Sequence, residues 1–416
     1  MSRLPRIIFV NRYFYPDLSA TSQILTDLAV HLAAAGMEVT VVTGRQRYTD
    51  AKAALPARER VKGVDVVRVL TTGFGRVHLV GRAADYLSFY LSAFLCLLGL
   101  LRRGDIVIPK TDPPLMSVVT ACAARFRGAR QVNWLQDLFP EVAVVLEPEL
   151  ISRRIARVIQ RVRDWSLRYA EANVVLGDIM GDKVRALGVP DQRIVTIPNW
   201  ADDREIAPVT HEGNPLRAQW GLEGKFVIGY SGNLGRAHEF GTILGAALLL
   251  NGRSDLTFLV IGGGAQLGEV ERFCAQHKLS NIVLAPYQPR ERLPWSLGAA
   301  DVHLISLIPE LEGLIVPSKF YGIAAARRAM VFIGDARGEI GMQLERYACG
   351  RSFWPGDSRG LADFLVEIAA DPQRCARMGE NARLALDQEW SQAKAFARWR
   401  NLLDGLHNKH EAVALA

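Results

Sequence analysis

The chain has 416 residues, of which 49% are hydrophobic and 22% charged, with a formal net charge of +7. That length allows two domains of about 200 residues each, and that composition excludes a largely disordered chain. The positive balance suits anionic partners, namely nucleotide-linked metabolites, nucleic acid or acidic lipid headgroups, although ordinary surface charge accounts for it equally well.

The start, "MSRLPRIIFVN", runs directly into a buried-type strand, without the apolar core and cleavage site of a signal peptide. The five cysteines are scattered, with no C-x-x-C pair or metal-ligand spacing, which fits a reducing, cytoplasmic compartment. "TSQILTDLAVHLAAAG" places Ile24, Leu25, Leu28 and Leu32 on one helical face, with Gly36 as its stop. "MEVTVVTG", "VDVVRVL", "DIVIPK", "RQVNWLQD" and "ANVVLG" follow as strands separated by helical stretches. This rhythm predicts a doubly wound parallel sheet.

Two helical stretches bear on membranes. Tyr86 to Leu101 is uncharged and apolar for 16 residues, against the roughly 20 that a spanning helix needs. It reads as a packed helix or as one dipping into a membrane surface. "ISRRIARVIQRVRDWSLRYA" carries Arg153, Arg154, Arg157, Arg161, Arg163 and Arg168, with Ile155, Val158, Ile159 and Val162 as its apolar side. A solvated face and contact with anionic lipid or a pyrophosphate-bearing acceptor are its two readings. It lacks the interleaved aromatic residues that single-stranded nucleic acid requires, so nucleic acid is not an expected partner.

The rhythm breaks near "RIVTIPNWAD", and residues 203–223 read as a hinge linker. A second series then begins: "KFVIGYSG", "LTFLVIGGG", "NIVLAPY", "ADVHLISL" and "AMVFIGD". The expected architecture is α/β, with two doubly wound Rossmann-like domains and an interdomain cleft. The first spans residues 1–200 and the second 201–389, and a last helix of about 390–407 returns to the first. In such sheets ligands bind outside the carboxyl ends of the strands, so the post-strand loops are the candidate sites.

In the second domain, "YSGNLGRAHEF" offers Gly232 and Asn233 on a tight turn, with Arg236 and His238 as cationic or donor groups. "IGGGAQL" brings Gly263 and its neighbours before a helix, where they serve an anion or merely tight packing; Leu267 breaks the dinucleotide fingerprint. "VPSKFYG" puts Ser318 and Lys319 at a helix start, a favourable place for a diphosphate. In the first domain, Asp137 ends the strand "QVNWLQD" as a general base, a helix cap or an ion-pair partner. Ser19, Thr21 and Ser22, after the first strand, cap the following helix or line an acceptor site.

These stretches carry a resemblance. "FYPDLSATSQILTDLAVHLAAAGMEVTVVTG", "TDPPLM", "NWLQDLFPE", "IPNWAD", "YSGNLGRAHEF", "GGGAQL" and "VPSKFYG" occur in one order over residues 6 to about 350. Together they resemble the GT-B glycosyltransferases of the large retaining family four, above all the bacterial surface-polysaccharide transferases of the O-antigen and colanic-acid kind. The resemblance implies a UDP- or GDP-sugar donor in the second domain and a lipid-linked oligosaccharide acceptor at the first. It implies retention of configuration without a metal or other cofactor. The expected location is cytoplasmic, with the helices of Tyr86–Leu101 and Arg153–Arg168 as the candidate seat on the inner face of the plasma membrane. The resemblance gives the donor diphosphate to Arg236 and Lys319, and sets Asp137 where the wider family often has His. His238 stands where many relatives have Lys.

One departure is chemical. Relatives usually carry Glu at the position of Gly322 to hold the ribose, with Glu310 or Glu312 as conceivable substitutes here. "AAARRAM" also replaces the usual small-Gly-x-Pro turn. The missing acid keeps open a catalytically silent GT-B scaffold in a polysaccharide assembly complex. A sugar-nucleotide epimerase shares the two-domain form.

Overall fold

The structure, a computed structural model, describes residues 6–17, 19–48, 50, 52–75, 79–149 and 152–415. The chain divides into two compact units, one of residues up to Pro198 together with Phe396 onward, the other of Asn199–Ala395.

The first unit holds strands β1 (Ile7–Val10), β2 (Val39–Gly44), β3 (Arg58–Val61), β4 (Val64–Val69), β5 (Ile106–Pro109), β6 (Arg130–Trp134), β7 (Ala172–Val175) and β8 (Ile194–Thr196). They form one sheet in the order β3-β4-β2-β1-β5-β6-β7-β8. Only the edge strand β3 runs antiparallel, to β4. β1, β5 and β7 are buried along their whole length. Continuous apolar runs suit them because helices cover both faces of a parallel sheet.

Helix Ala20–Ala34 buries Ile24, Leu25, Leu28 and Leu32, at helical spacing, as the sequence predicts. Helix Leu79–Leu100 lays Phe89, Ala93 and Leu97 into the core with no exposure, while Val80, Leu87, Leu91 and Leu95 remain exposed. This helix is therefore packed on one side and apolar on the other. It is also long and apolar enough, by composition, to cross a membrane.

The last helix, Gln392–Leu415, belongs to the first unit from Phe396. Its buried face is Phe396, Trp399, Leu403 and Leu406. Trp399 meets Trp134 of β6 edge-on at 4.7 Å between ring centroids, and Phe396 stacks on His31 at 4.3 Å. Arg130 Nη1 donates to the Leu406 carbonyl at 2.7 Å, tying the helix to the start of β6.

The second unit holds β9 (Phe226–Asn233), β10 (Leu256–Gly263), β11 (Ile282–Ala285), β12 (Val302–Ser306), β13 (Ala329–Ile333) and β14 (Gly350–Phe353). Their order is β11-β10-β9-β12-β13-β14, all parallel. This is the doubly wound arrangement in which the chain reverses direction between β9 and β12.

The segment 203–223 is not an open linker. Ile206, Leu216 and Leu222 are buried, and Asn214 caps the short helix Pro215–Gln219 through its side chain. Arg217, 6% exposed, donates to the carbonyls of Ala299, Leu222 and Lys225. The polar residues and prolines that look like a hinge are cap and turn residues of the second unit.

Candidate functional site

In the second unit, β9 and β12 pair only through Val302–Ile228 and His303–Gly229. Beyond those residues β9 continues to Asn233 alongside β10 alone. The sheet thus opens at its carboxyl end, at the point where the winding reverses and such sheets take ligands.

Two glycine loops line the opening. Gly232, Gly262 and Gly264 adopt φ of +132°, +142° and +143°, conformations open only to glycine without strain. A Cβ on Gly262 would stand 2.0 Å from the Gly232 carbonyl oxygen, so the loops pack backbone on backbone. Leu234 N–H donates to Gly263 O at 2.8 Å, and the Tyr287 hydroxyl donates to the same oxygen at 3.0 Å. Gln266 Nε2 donates to the carbonyls of Gly235 and His238, fixing the turn between them. The "GGG" run packs here against the Gly232 loop.

Lys319 begins helix Lys319–Ala325. Its Nζ lies 3.7 Å from the centroid of the Tyr230 ring, is buried, and has no hydrogen-bond partner. Gly232 lies next to it: a Cβ there would stand 3.6 Å from Lys319 Cε, in ordinary contact. Burial holds the Lys319 ammonium well below its usual pKa. The aromatic face offsets part of the lost hydration, yet a cation buried without an anion remains costly.

His238 lies beside it. Its Nδ1–H donates to Ser306 O at 2.5 Å, so Nε2 carries the lone pair. Burial, with the Lys319 charge second, brings its pKa down to about 3. The residue is a neutral hydrogen-bonding prop, whereas the sequence offered it as a cationic or donor group toward a ligand. Asn233, Arg236 and Ser318 have exposed side chains on the same two loops. Ser318 occupies the helix N-cap, but its hydroxyl makes no capping bond.

Two acids were offered in place of the one expected at residue 322. A side chain at Gly322 would meet Leu297 and Ile206, both apolar. Glu312 Oε1 accepts the Glu339 backbone N–H at 2.8 Å and so serves the start of helix Glu339–Arg346. Glu310 is exposed in a 3-10 turn.

In the first unit, β5 and β6 pair only at Ile106–Arg130 and Val107–Gln131. Past that point the loops after them bring Lys110, Thr111, Asp112 and Asp137 together. Asp137 is half-buried, and its Oδ1 is buried without a hydrogen-bond partner. Burial, reinforced by the Asp112 charge and opposed by a hydrogen bond from Thr111, pushes its carboxyl up to about 7. A carboxyl poised there is matched to general acid–base work.

Lys110 was not among the residues singled out by sequence. It is 1% exposed, donates to Thr21 O at 3.0 Å, and sits 3.9 Å over the Trp134 ring. Burial, opposed by Asp112, lowers its pKa to about 7. A lysine closing the apolar strand "IVIP" was the available signal.

The capping reading of Ser19, Thr21 and Ser22 gives way to Asp17. Asp17 Oδ1 accepts the Ser19 N–H at 2.8 Å and Oδ2 accepts the Tyr48 N–H at 2.5 Å. Ser19 is the N-cap without a side-chain bond, its Oγ buried and unpaired. Ser22 Oγ donates to Asp17 O. Thr21 contributes its carbonyl to Lys110.

The arginine helix, Arg153–Tyr169, also turns differently from its pattern. Ile155, Val158, Val162 and Trp165 are exposed, and the inward face is Ala156, Arg163, Ser166 and Leu167. Arg163 binds Glu141 bidentately, at 2.6 and 3.0 Å, and donates to Phe139 O at 2.9 Å. It braces the loop that carries Asp137, a stronger role than a solvated charge.

Residues 20–200 match the glycosyl transferase 4-like domain family. The chain is 29% identical over 296 residues to a Pseudomonas aeruginosa protein named as a glycosyltransferase, WbjE, covering 70% of this chain and 72% of that one. It is 25% identical over 357 residues to an Escherichia coli K12 protein named as a colanic acid biosynthesis glycosyl transferase, WcaI, covering 82% and 86%. The fold is similar to that of Anabaena HepE, solved in complex with UDP-glucose, at a TM-score of 0.69 and 17% identity, covering 96% and 99%.

Proposed function

We propose that this chain is a GT-B glycosyltransferase of the glycosyl transferase 4 type and that it moves a sugar with retention from a UDP- or GDP-sugar to a hydroxyl of a lipid-linked oligosaccharide in surface-polysaccharide synthesis. The observation that carries the reading is the buried, unpaired Lys319 ammonium where the second unit's sheet opens. Burial disfavours its charge in the free chain, an anion bound beside it would favour that charge, and a donor's diphosphate supplies one. The UDP-glucose bound by HepE and the colanic acid pathway named for WcaI support donor class and product class.

In this reading the bond between the anomeric carbon and the diphosphate oxygen breaks, and its electron pair leaves with the nucleotide. Lys319 stabilises the charge that develops, with Arg236 closing on it from the exposed loop. The acceptor hydroxyl bonds to the anomeric carbon and gives up its proton. Asp137, near neutrality, is the group whose pKa suits receiving it. The diphosphate is neutralised by side chains, as the resemblance implies, with no metal or cofactor assigned. Isothermal titration with UDP- and GDP-sugars tests the reading; no binding at millimolar donor by the folded chain refutes it.

The apolar lining at Gly322 favours one rival, a silent scaffold, and the same titration decides between them. The acceptor class draws support from the exposed apolar residues of helices Leu79–Leu100 and Arg153–Tyr169. On the latter, Ile155, Val158 and Val162 alternate with exposed Arg154, Arg157 and Arg161. That combination suits peripheral contact with an anionic leaflet on the cytoplasmic side. Co-sedimentation with anionic vesicles at low salt, lost at high salt, is the expected result; equal recovery with neutral vesicles contradicts it.

A further inference from the structure

A cavity of about 490 Å³ opens at the opposite, amino-terminal end of the second unit's sheet. It lies where β9, β12 and β13 begin, with Phe226, Asp301 and Arg328 in its lining, so it is no part of the Lys319 site. Its cations are Lys225, Arg327 and Arg328, and its acids are Asp301 and Asp255.

The acids are already engaged. Asp301 Oδ2 accepts the Val227 N–H at 2.7 Å and faces Arg217 at 3.5 Å, while Oδ1 lies 3.6 Å from His211 Nδ1. Asp255 pairs with Arg253 at 2.7 Å. The cations are only partly matched in return. Arg328 Nη2 donates to the carbonyls of Val209 and Gly298, but its Nε is buried without an acceptor. His211 Nε2 is likewise buried and unpaired. A buried guanidinium N–H without an acceptor, in an excess of positive charge, describes a place that lacks an anion.

The backbone adds an independent observation. Arg327 adopts φ +58°, the left-handed conformation that favours glycine. Strain kept at a cavity rim where a glycine would relieve it points to a use for the side chain. Arg327 reaches Glu380 at 2.6 Å, a half-exposed pair that does not require the left-handed turn to be arginine.

We propose that this cavity binds a small phosphate-bearing anion, with Lys225, Arg327 and Arg328 as its cationic wall and His211 as a polar contact. Arg327 and Arg328 directly follow the helix that Lys319 begins. An anion at this end therefore braces the element that presents the donor-site ammonium. The inference does not rest on the transferase reading.

The test is calorimetric titration of the full chain with inorganic phosphate at constant ionic strength, with chloride as control and glycerol phosphate as a second probe. Arg327→Gly, whose backbone favours glycine, and Lys225→Ser at the rim are expected to weaken phosphate binding at least tenfold while remaining folded. The titration is also run on Lys319→Ala, which removes the other candidate anion site and is expected to retain phosphate binding. Tighter binding of glycerol phosphate than of phosphate assigns the site to a phosphate monoester; the reverse assigns it to the free ion. Phosphate affinity unchanged in both rim variants, lost in Lys319→Ala, or matched by chloride overturns the proposal.

Discussion

The Lys319 ammonium lies 3.7 Å from the centre of the Tyr230 ring, with no hydrogen-bond acceptor of its own. Tyr230 is held in turn by its hydroxyl, which donates to the Asn233 carbonyl at 2.9 Å. Strand β9 thus carries both the aromatic face under the cation and the Gly232 gap above it. A folding optimum would not leave a lysine there, and a binding site would.

Replacing Lys319 by Met, which keeps the stem and removes the charge, is expected to stabilise the fold by about 1–3 kcal/mol. Urea unfolding measures this. A destabilised Lys319→Met protein would mean that the ammonium is satisfied in the free chain.

Asp137 gives a pH signature. Its carboxyl rises from 3.8 unfolded to about 7 folded. Its contribution is fully present below pH 4 and is lost as pH climbs through 7, because the folded state holds the proton more tightly. The loss amounts to at most roughly 4 kcal/mol. Asp137→Asn should be more stable than wild type at pH 8 and lack this slope between pH 4 and 7. Its turnover should fall at least 100-fold, and a near-normal rate would remove Asp137 from the chemistry.

His238 acts in the opposite sense. Its pKa falls from 6.5 to about 3. The stability it contributes is present above pH 6.5 and is lost as pH drops toward 3, when the folded state resists the proton. His238→Ala leaves the Ser306 carbonyl without its donor and should cost about 1–3 kcal/mol at pH 7. His238→Gln, able to donate, should recover part of it. Because the Asp137 and His238 slopes oppose each other, each appears only as the difference between variant and wild type across pH.

Trp399 tests the last helix. With no exposure and an edge contact to Trp134, its truncation to Ala should destabilise the first unit by about 3–5 kcal/mol. Hydrogen exchange is expected to rise first at Trp134 and in the 396–406 turns.

Much of this was legible in the sequence where local pattern and burial agree. The apolar runs of β1, β5 and β9 and the face Ile24–Leu25–Leu28–Leu32 are periodic because one surface of each element is covered. Lys319 was legible as a charge at a helix start after a strand, but its burial was not, since Tyr230 meets it from another strand. Lys110 escaped notice for the same reason: Trp134, which receives it, is 24 positions away. In the helix Arg153–Tyr169 the inward turn of Arg163, which pairs with Glu141, was not legible, and Ile155 and Val158 stay exposed. Tertiary partners overrode periodicity there. His238 and the serines after β1 depended on backbone acceptors and donors that no side-chain pattern records.

The most direct measurement is the affinity of UDP and GDP for wild type and Lys319→Ala, by calorimetry at pH 7.5. The lysine is expected to contribute at least a hundredfold to the diphosphate that binds, with Tyr230 and the Gly232 loop intact in the variant. Equal affinity of the two proteins for both nucleotides would contradict the account.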